Sequence, residues 1–377
     1  MAKHSEFYKG ARKRRNYTFI PALILIFTIS VSVVLFYSMQ KYAVVSKDGV
    51  EVVLPILDDG KTVINDQGEE VRVFDVVDAP LVFEEADYSN YKAEAGKYLQ
   101  PVRAIFVPSA DVNLAKLEEY ALRLKTGNAL VLEMKPRSGM LNWSTQAYEA
   151  VNYGLNITTE ITNAMPQYIE MLKERDIYLV AKISCCIDEL FASRSTTVTI
   201  RNEIGANYMD VNGTWLDPYN QSVRNYTVAL CEELFAMGFD EVMLADVAHP
   251  TLTEPINLMY TREMSTEPSS VNAVCGFAVY VAEQLRDVDG VLSIYVDSKQ
   301  ALVKPDYTTG QDAVLFMKLY DRVYLETDKF AYPYNVADIE QNVTIGEVHD
   351  RLVPVVINYL PDNSSWVLVD REEIAAD

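Results

Sequence analysis

The stretch GFDEVMLADVAHP, from Gly238 to Pro250, decides the fold of this chain. An apolar run typical of a β-strand, Val242 to Ala245, leads to one carboxylate, Asp246, and the pattern breaks at His249-Pro250. A long amphipathic helical pattern ends at Gly238, immediately before this strand. A helix followed at once by an apolar strand is the repeating unit of proteins with a parallel sheet.

The same alternation of strand and helix extends over the chain from about residue 101 to residue 370. The predicted strands are, in order, VRAIFVP (102–108), NALVLEMK (128–135), IYLVAKISC (177–185), DEVMLAD, VLSIYVD, RVYLET, RLVPVVINY (351–359) and SSWVLVD, which ends at Asp370. Eight strands alternating with helices predict an α/β fold, a (β/α)8 TIM barrel over residues 101–377. Only LPDNSS joins the last two strands, so the last quarter of the barrel is expected to be abbreviated.

Helix boundaries follow from capping residues. Asp217 is placed to cap the helix that leads to Gly238, with Pro218 in its first turn. The helix before the third strand is predicted over PQYIEMLKERD, beginning at Pro166.

The first forty residues differ in character from the rest. Residues 1–16 form a basic tail, and a charge-free apolar run of 23 residues covers 17–39. That length suffices for a transmembrane helix, and the basic flank is expected to stay in the cytoplasm. A cleaved signal peptide is the alternative, but it requires a shorter apolar region and a cleavage site of small residues. The prediction is a single-pass cell-membrane protein with its large domain extracellular.

Between the anchor and the barrel lie two further segments. Residues 41–85 contain short Val- and Ile-rich runs separated by Asp-Gly and Gln-Gly dipeptides, which predict hairpins in a small β-rich stalk module. Residues 86–100 are polar and aperiodic and are interpreted as a linker.

Charge and composition limit the function classes. The chain has a formal charge of −21, and because residues 1–40 carry +5, the remainder carries −26. So acidic a domain repels phosphate backbones, which argues against nucleic acid as a partner. Four cysteines without CxxC spacing and three histidines offer no zinc motif, so no metal or organic cofactor is implied. Buried free thiols are the expected state of the cysteines.

Carboxylates at the predicted strand ends are the candidates for chemistry, because TIM-barrel sites lie at that end. Glycoside hydrolysis requires one ionised carboxylate and one protonated carboxyl group. Glu133 is the first candidate for the ionised group, since Lys135 shares its strand face by the period-two rule and would pair with it. A structural ion pair explains these two residues equally well. Candidates for the acid are Asp246, Asp297 and Glu326; Asp188 also falls at a strand end.

A second set of residues is predicted to contact a glycan. Aromatic rings in loops at a barrel mouth can stack on sugars, although such rings more often only pack. The predicted substrate-binding residues are Lys135, Trp143, Trp215, Asp217, Tyr219, His249 and Asp370, and Tyr332 and Tyr334 are further aromatic candidates.

Three segments carry a family resemblance. The segment TWLDPYNQSVRNYTVALCEELFAMGFDEV resembles the W-[VL]-D-P-Y…G-F-D-E-[IV] segment of bacterial glycosyl hydrolase-like proteins with an amylase-like TIM barrel. NALVLEMK is similar to a strand of that family, with Glu133 at the family's Asp and Lys135 at its Lys. The stretch IYLVAKISCCIDELFASR is also similar, with Lys182 and Asp188 in register. The resemblance implies a TIM barrel that acts on glycans.

The resemblance breaks at the strand after GFDE. Where the family has Asp followed by Tyr, this chain has Ala245 followed by Asp246, and a shift of one residue reverses the face of a strand. Tyr295 and Asn358 occupy two further family Asp positions. Two hypotheses follow: a membrane-anchored extracytoplasmic glycoside hydrolase, or a catalytically inactive barrel that binds glycans or serves as a scaffold.

Overall fold

The computed structural model describes short pieces before residue 73 and nearly all of the barrel. The described residues are 27–28, 30–31, 43–46, 49–52, 62–64, 70–72, 99–124, 127–252, 258–260, 270–328, 330–341, 348–357 and 364–369. The chain divides into two compact units, Met1–Val82 and Phe83–Asp377.

The first unit contains two short antiparallel strand pairs. Ala43–Ser46 pairs with Gly49–Val52, and Thr62–Ile64 pairs with Glu70–Arg72. The Asp-Gly and Gln-Gly dipeptides predict hairpins in these two places. Among the residues described, no helix is both long and apolar enough to cross a membrane. Most of the predicted anchor, residues 17–39, lies outside the described residues, so the anchor stays a prediction.

The second unit is built on a closed barrel of eight parallel strands, which confirms the predicted fold class. The strands are β1 (Arg103–Val107), β2 (Ala129–Lys135), β3 (Tyr178–Ser184), β4 (Glu241–Ala245), β5 (Val291–Val296), β6 (Arg322–Glu326), β7 (Leu352–Ile357) and β8 (Trp366–Val369). Each strand pairs with its neighbours in chain order, and β8 pairs with β1 through Val367 and Ala104. The short connection before β8 therefore does not prevent closure.

Helices cover the outside of the barrel. They are α1 (Leu114–Arg123), α2 (Tyr148–Tyr153), α3 (Glu160–Lys173), α4 (Glu189–Arg194), α5 (Gln221–Met237), α6 (Ser270–Gln284), α7 (Ala313–Leu319), α8 (Tyr332–Glu340) and α9 (Val348–Arg351). Short 3-10 turns lie at Ser109–Asp111, Thr196–Val198 and Lys299–Leu302, and a small antiparallel pair, Met209–Asp210 with Gly213–Thr214, extends the loop after β3.

The prediction that α3 begins at Pro166 was wrong. The helix begins at Glu160, where Thr159 and Thr162 form a reciprocal cap through side chain and backbone. Pro166 therefore lies inside the helix and leaves the carbonyl of Thr162 without its usual donor. The backbone N–H of Ser144 donates to that carbonyl at 3.2 Å, which satisfies the group from a neighbouring loop.

The predicted cap of α5 was also wrong. Asn220, not Asp217, caps this helix by accepting from the N–H groups of Ser222 and Val223. Asp217 instead accepts from the N–H of Tyr219 in a tight turn three residues earlier. The predicted end at Gly238 is confirmed, because this residue has the left-handed conformation (φ 109°) that glycine adopts readily.

The strands alternate between two cores, as period two requires. One side chain set faces the barrel interior and includes Val131, Val180, Met243 and Tyr324. The other set packs beneath the helices in a larger core that contains Leu130, Leu132 and buried apolar residues of the helices. All four cysteines are buried and free, as predicted.

Candidate active site

The upper layer of the barrel interior holds the side chains that could carry chemistry. Glu133 and Lys182 continue the inward rows that begin with Val131 and Val180, so both reach the carboxyl-terminal mouth of the barrel. Phe106 belongs to the same interior, and the ammonium of Lys182 lies 5.0 Å from the centroid of its ring. The mouth therefore combines a carboxylate, a cation and an aromatic face.

Glu133 is held by two partners. Its Oε1 lies 3.0 Å from Nζ of Lys182, which is its register partner on the neighbouring strand β3. Its Oε2 accepts from the backbone N–H of Ser109 at 3.2 Å. The Glu133 and Lys182 side chains are 21% and 25% exposed, so the ion pair remains in reach of a ligand in the mouth.

The predicted pairing of Glu133 with Lys135 was wrong. The register between β2 and β3 shifts between these two residues, and a β-bulge ends the period-two alternation there. Lys135 is 2% exposed, and its Nζ contacts Asp188 Oδ2 at 2.8 Å and donates to the carbonyl of Ser184 at 2.6 Å. Its ammonium also faces the ring of Tyr226 on α5. Lys135 is therefore part of a buried structural pair beneath the helices and not a residue of the mouth.

Asp246 is brought to the site by an unusual backbone conformation. In β4 the inward row is Glu241, Met243 and Ala245, so a regular strand would turn the next side chain outward. Asp246 instead has φ 54°, in the left-handed region that residues other than glycine rarely adopt. Its Oδ1 accepts from Nε and Nη2 of Arg137, at 3.0 and 2.6 Å. The guanidinium of Arg137 is about half exposed, whereas Asp246 is buried.

Asp297, at the end of β5, is the carboxyl group whose environment is most perturbed. Loss of hydration among the surrounding groups, followed by the like charge of Asp246, raises the pKa of Asp297 to about 7. A hydrogen bond from Nε2 of Gln311 to its Oδ2, at 3.0 Å, opposes that rise, as do the charges of Arg137 and Lys182. Asp297 itself is exposed to solvent in the mouth although groups crowd around its carboxyl, so its proton can exchange with water or a ligand.

Tyr295 on β5 and Glu326 on β6 are two further residues at the mouth. Burial and the nearby charges of Asp297, Glu326 and Asp246 raise the pKa of Tyr295 far above its usual range, so it remains a neutral phenol. Glu326 ends β6 and is exposed. These relations bring together the four predicted catalytic carboxylates Glu133, Asp246, Asp297 and Glu326 around one opening.

Most of the residues predicted to contact a glycan are buried. Trp143 is buried and donates to Oε2 of Glu233 at 2.8 Å, and Trp215 is buried in the outer core. Asp217 is fully buried in its turn. Burial lowers the pKa of His249, whose Nε2 contacts the Tyr260 hydroxyl while its Nδ1 lies 3.0 Å from the carbonyl of Pro250.

The remaining predicted aromatic residues differ in their exposure to solvent. Tyr219 is half-buried and packs edge-to-face on Tyr260, with ring centroids 5.7 Å apart. Tyr332 is buried and donates to the carbonyl of Leu352, whereas Tyr334 is 74% exposed. Asp370 and Asn358 lie outside the described residues.

Sequence reasoning missed three residues of the site. Phe106 could have been predicted from the period of two on β1, because it shares the inward face with Val102 and Ala104. Arg137 and Gln311 lie in loops, where no period relates them to the strands, so no sequence signal was available for either. Within the described part of the chain, no three His, Cys, Asp or Glu side chains are grouped so as to hold a metal ion.

The fold and the mouth together define a class: a TIM-barrel protein with several carboxylates, two cations and aromatic rings at the carboxyl ends of its strands. A family model described as "Putative glycosyl hydrolase domain" matches residues 104–325, from β1 to β6. The match covers more than half of the chain, so the chain belongs to this family. The comparison with curated proteins gives no match.

Solved structures resemble the barrel. The glycoside hydrolase domain of PgaB (BpsB) from Bordetella bronchiseptica is 12% identical with a TM-score of 0.52, covering 73% of this chain and 95% of that one. A hypothetical protein from Ruminiclostridium thermocellum is 20% identical with a TM-score of 0.44, covering 50% and 96%. A GH20 exo-β-N-acetylglucosaminidase from Vibrio harveyi is 10% identical with a TM-score of 0.44, covering 68% and 41%. At 12% identity, the likeness to the PgaB domain supports the fold alone.

Proposed function

We propose that this protein hydrolyses glycosidic bonds of a polysaccharide or cell-surface glycan, with Asp297 as the proton donor and Glu133 as the ionised carboxylate. The observation that carries the proposal is the contrast between the two groups. Asp297 has a pKa of about 7 and Glu133 is paired with Lys182, in the same mouth. A carboxyl group that can hold its proton, in the same mouth as a carboxylate paired with a cation, is the arrangement that glycoside hydrolysis requires.

In this mechanism, Asp297 transfers its proton to the glycosidic oxygen as the bond from that oxygen to the anomeric carbon breaks. Glu133 stabilises the positive charge that develops on the sugar, either as a nucleophile or as the base that activates water. Water supplies the hydroxyl group of the new reducing end. Membership of the glycosyl hydrolase-like family supports the substrate class.

Asp246 is assigned an electrostatic role in this proposal. Two charge-assisted hydrogen bonds from Arg137 engage its Oδ1, so we do not assign it the proton transfer. Its negative charge instead helps to keep the proton on Asp297. This assignment replaces Asp246 by Asp297 as the first candidate for the acid.

The test is turnover on a panel of polysaccharides and aryl glycosides, compared between wild type and Asp297→Asn. Turnover by wild type should decline above about pH 7, because Asp297 must carry its proton to act. Asp297→Asn should lower kcat/KM about a hundredfold or more on substrates with poor leaving groups. Glu119→Gln on α1 is the control, since Glu119 is an exposed carboxylate on an outer helix, where it pairs with Lys116. Equal activity of Asp297→Asn and wild type would contradict the assignment.

A second candidate function is glycan binding without catalysis. The observation that favours it is the loss of family carboxylates, since Ala245 and Tyr295 occupy positions where the family has Asp. In that case wild type should bind a glycan of the panel and release no sugar from any of them.

We also propose that residues 17–39 anchor the protein in the cell membrane, with the barrel outside the cytoplasm. The charge-free run of 23 residues and its basic flank support this orientation. Protease added to intact cells or protoplasts should then digest the barrel and spare residues 1–15. A barrel that is protected until the cells are lysed would contradict the proposed topology.

A further inference from the structure

Gln311 is a buried amide between the ends of two barrel strands. It lies after β5 and directly before Asp312, which caps α7. Its side chain has no solvent exposure, although a glutamine is usually found at the surface. A buried amide is costly unless its donors and acceptors are paired, so its hydrogen bonds indicate its role.

All four hydrogen-bonding positions of the Gln311 amide are used. Its Oε1 accepts from the backbone N–H groups of Asp297 and Ser298, at 2.9 and 3.2 Å. Its Nε2 donates to the carbonyl of Val247 at 3.1 Å and to Oδ2 of Asp297 at 3.0 Å. Two donors and two lone pairs are the full capacity of this group, so the amide has one orientation and no freedom to rotate.

These bonds join the irregular end of β4 to the end of β5. Val247 follows Asp246, whose left-handed backbone ends the regular strand, and Val247 is completely buried. Gln311 supplies a donor for the Val247 carbonyl and binds both the backbone and the carboxyl group of Asp297. A second bond, from the N–H of His249 to the carbonyl of Thr309 at 2.7 Å, joins the same two loops.

We propose that Gln311 is the positioning residue for Asp297, holding the carboxyl group of the proposed acid in one orientation beside Asp246. This inference rests on the proposed function for its catalytic meaning, but not for its structural test. Without Gln311, the Asp297 carboxyl group would lose the donor that fixes its orientation at Oδ2. Its donor also stabilises the ionised form, so it limits how far the neighbouring groups raise the pKa of Asp297.

Several charged or titratable groups face Asp297 from the elements around it. They are Asp246 after β4, Arg137 in the loop after β2, Lys182 on β3 with its partner Glu133 on β2, Tyr295 on β5 and Glu326 on β6. All of them remain when Gln311 is replaced. A change in the titration of Asp297 in that variant therefore reports on the amide.

The variant is Gln311→Met, which keeps the length of the side chain and removes all four hydrogen bonds. Full-length protein labelled with 13C at aspartate carboxyl groups is titrated by NMR, and the resonance missing from Asp297→Asn identifies Asp297. We expect the Asp297 titration to move upward by roughly half to one pH unit, the size expected for one lost hydrogen bond. We also expect kcat to fall about tenfold or more while KM changes less than about twofold, because geometry and not binding is lost.

Asn220→Ala is the control, because Asn220 is also a buried amide and caps α5 away from Asp297. It should lower stability and leave both the Asp297 titration and the pH dependence unchanged. If Gln311→Met only lowers stability in the same way, the positioning role is overturned. If no glycan is turned over by wild type, the proposed function fails, and the NMR titration alone decides the role of Gln311.

A second variant covers the case in which Gln311→Met does not fold. Gln311→Glu keeps an acceptor for the N–H groups of Asp297 and Ser298 and places an oxygen opposite Oδ2 of Asp297. Two carboxyl groups at that distance share a proton, so the pair should release its last proton at a higher pH than Asp297 alone. An unchanged titration in this variant would also overturn the proposal.

Discussion

At the scale of single residues, the site depends on one displaced carboxylate. Relative to the family pattern, the carboxylate at the end of β4 is one residue late, which would place it outside the barrel in a regular strand. The left-handed backbone at Asp246 redirects the side chain toward Arg137 and Asp297. Such a conformation costs on the order of 1–2 kcal/mol for a residue with a Cβ, and it is tolerated where surrounding bonds hold it in place.

Two substitutions should move the alkaline limb of the pH–activity profile in opposite directions. Asp246→Asn removes the like charge that raises the pKa of Asp297, so activity should decline at a lower pH than in wild type. Arg137→Met removes a cation that lowers the same pKa, so the decline should move to a higher pH. Both shifts are read from kcat/KM measured between about pH 5 and 9. Loss of all turnover in Asp246→Asn, with activity retained in Asp297→Asn, would make Asp246 the acid.

Part of the site could be predicted from single residues, and part could not. Glu133, Asp297 and Glu326 were identified because a carboxylate at the end of a parallel strand must lie at one edge of the barrel. The partner of Glu133 could not be predicted from its own strand, because the bulge before Lys135 has no sequence signature. Lys182 matched the family segment in the sequence. Its role as the partner of Glu133 depends on the register between two neighbouring strands, which the sequence does not show.

At the scale of secondary-structure elements, the turn after β2 sets the position of Arg137. The N–H of Gly139 donates to the carbonyl of Pro136 at 2.9 Å. The backbone carbonyls of Arg137 and Ser138 accept from the N–H groups of Glu189 and Leu190 in α4. Gly139 has φ 79°, and a Cβ at this position would lie 2.0 Å from Oδ1 of Asp188. Since Asp188 caps α4 and binds Lys135, the turn, the helix and the buried pair are fixed together.

Gly139→Ala should therefore destabilise the protein more than the same change in open space. Gly154→Ala is the matched control, because Gly154 has a similar φ of 67° with no atom within 4 Å of the added Cβ. The control should cost about 1 kcal/mol of unfolding free energy, and Gly139→Ala at least about 1–2 kcal/mol more. Denaturant unfolding of both variants measures the difference. Equal destabilisation would show that the turn accommodates a methyl group without moving Asp188.

Element types were more predictable than element boundaries. All eight barrel strands follow from apolar runs, because a strand buried on both sides has few polar residues, and helical periodicity separates the first six of them. The start of α5 was wrong because two capping residues lie three positions apart, and the start of α3 was wrong because the helix extends back through Pro166 to a cap at Thr159. Thr159 replaced Pro166 as the start of one helix, and Asn220 replaced Asp217 in the other.

At the scale of the whole molecule, a polar cluster closes the barrel floor opposite the mouth. Glu241 accepts from the hydroxyl groups of Tyr178 and Tyr324, at 3.0 and 2.7 Å, and from Arg322 Nη1. Arg322 also donates to the carbonyl of Gln100, just before β1. The Arg322 and Glu241 side chains are 1% and 0% exposed, so each charge depends on the other for compensation.

Arg322→Met should destabilise the barrel by about 3–5 kcal/mol, because it leaves the Glu241 carboxylate buried without a cation. Arg286→Met breaks an exposed pair with Glu283 and should change stability by less than about 1 kcal/mol. Chemical denaturation of the two variants at neutral pH gives the comparison. A loss in Arg322→Met no larger than in the control would mean that water or a neighbouring group compensates Glu241.

The central claim, that the mouth hydrolyses glycosidic bonds, is tested most directly by Glu133→Gln. The change deletes the charge of the residue and keeps its shape, so the fold and glycan binding should persist. Turnover should fall a hundredfold or more, because the charge that stabilises an oxocarbenium-like transition state is lost. The measurement is release of reducing sugar by wild type and Glu133→Gln on a glycan that both bind with similar affinity. Undiminished release by Glu133→Gln, or binding without release by wild type, would contradict the claim.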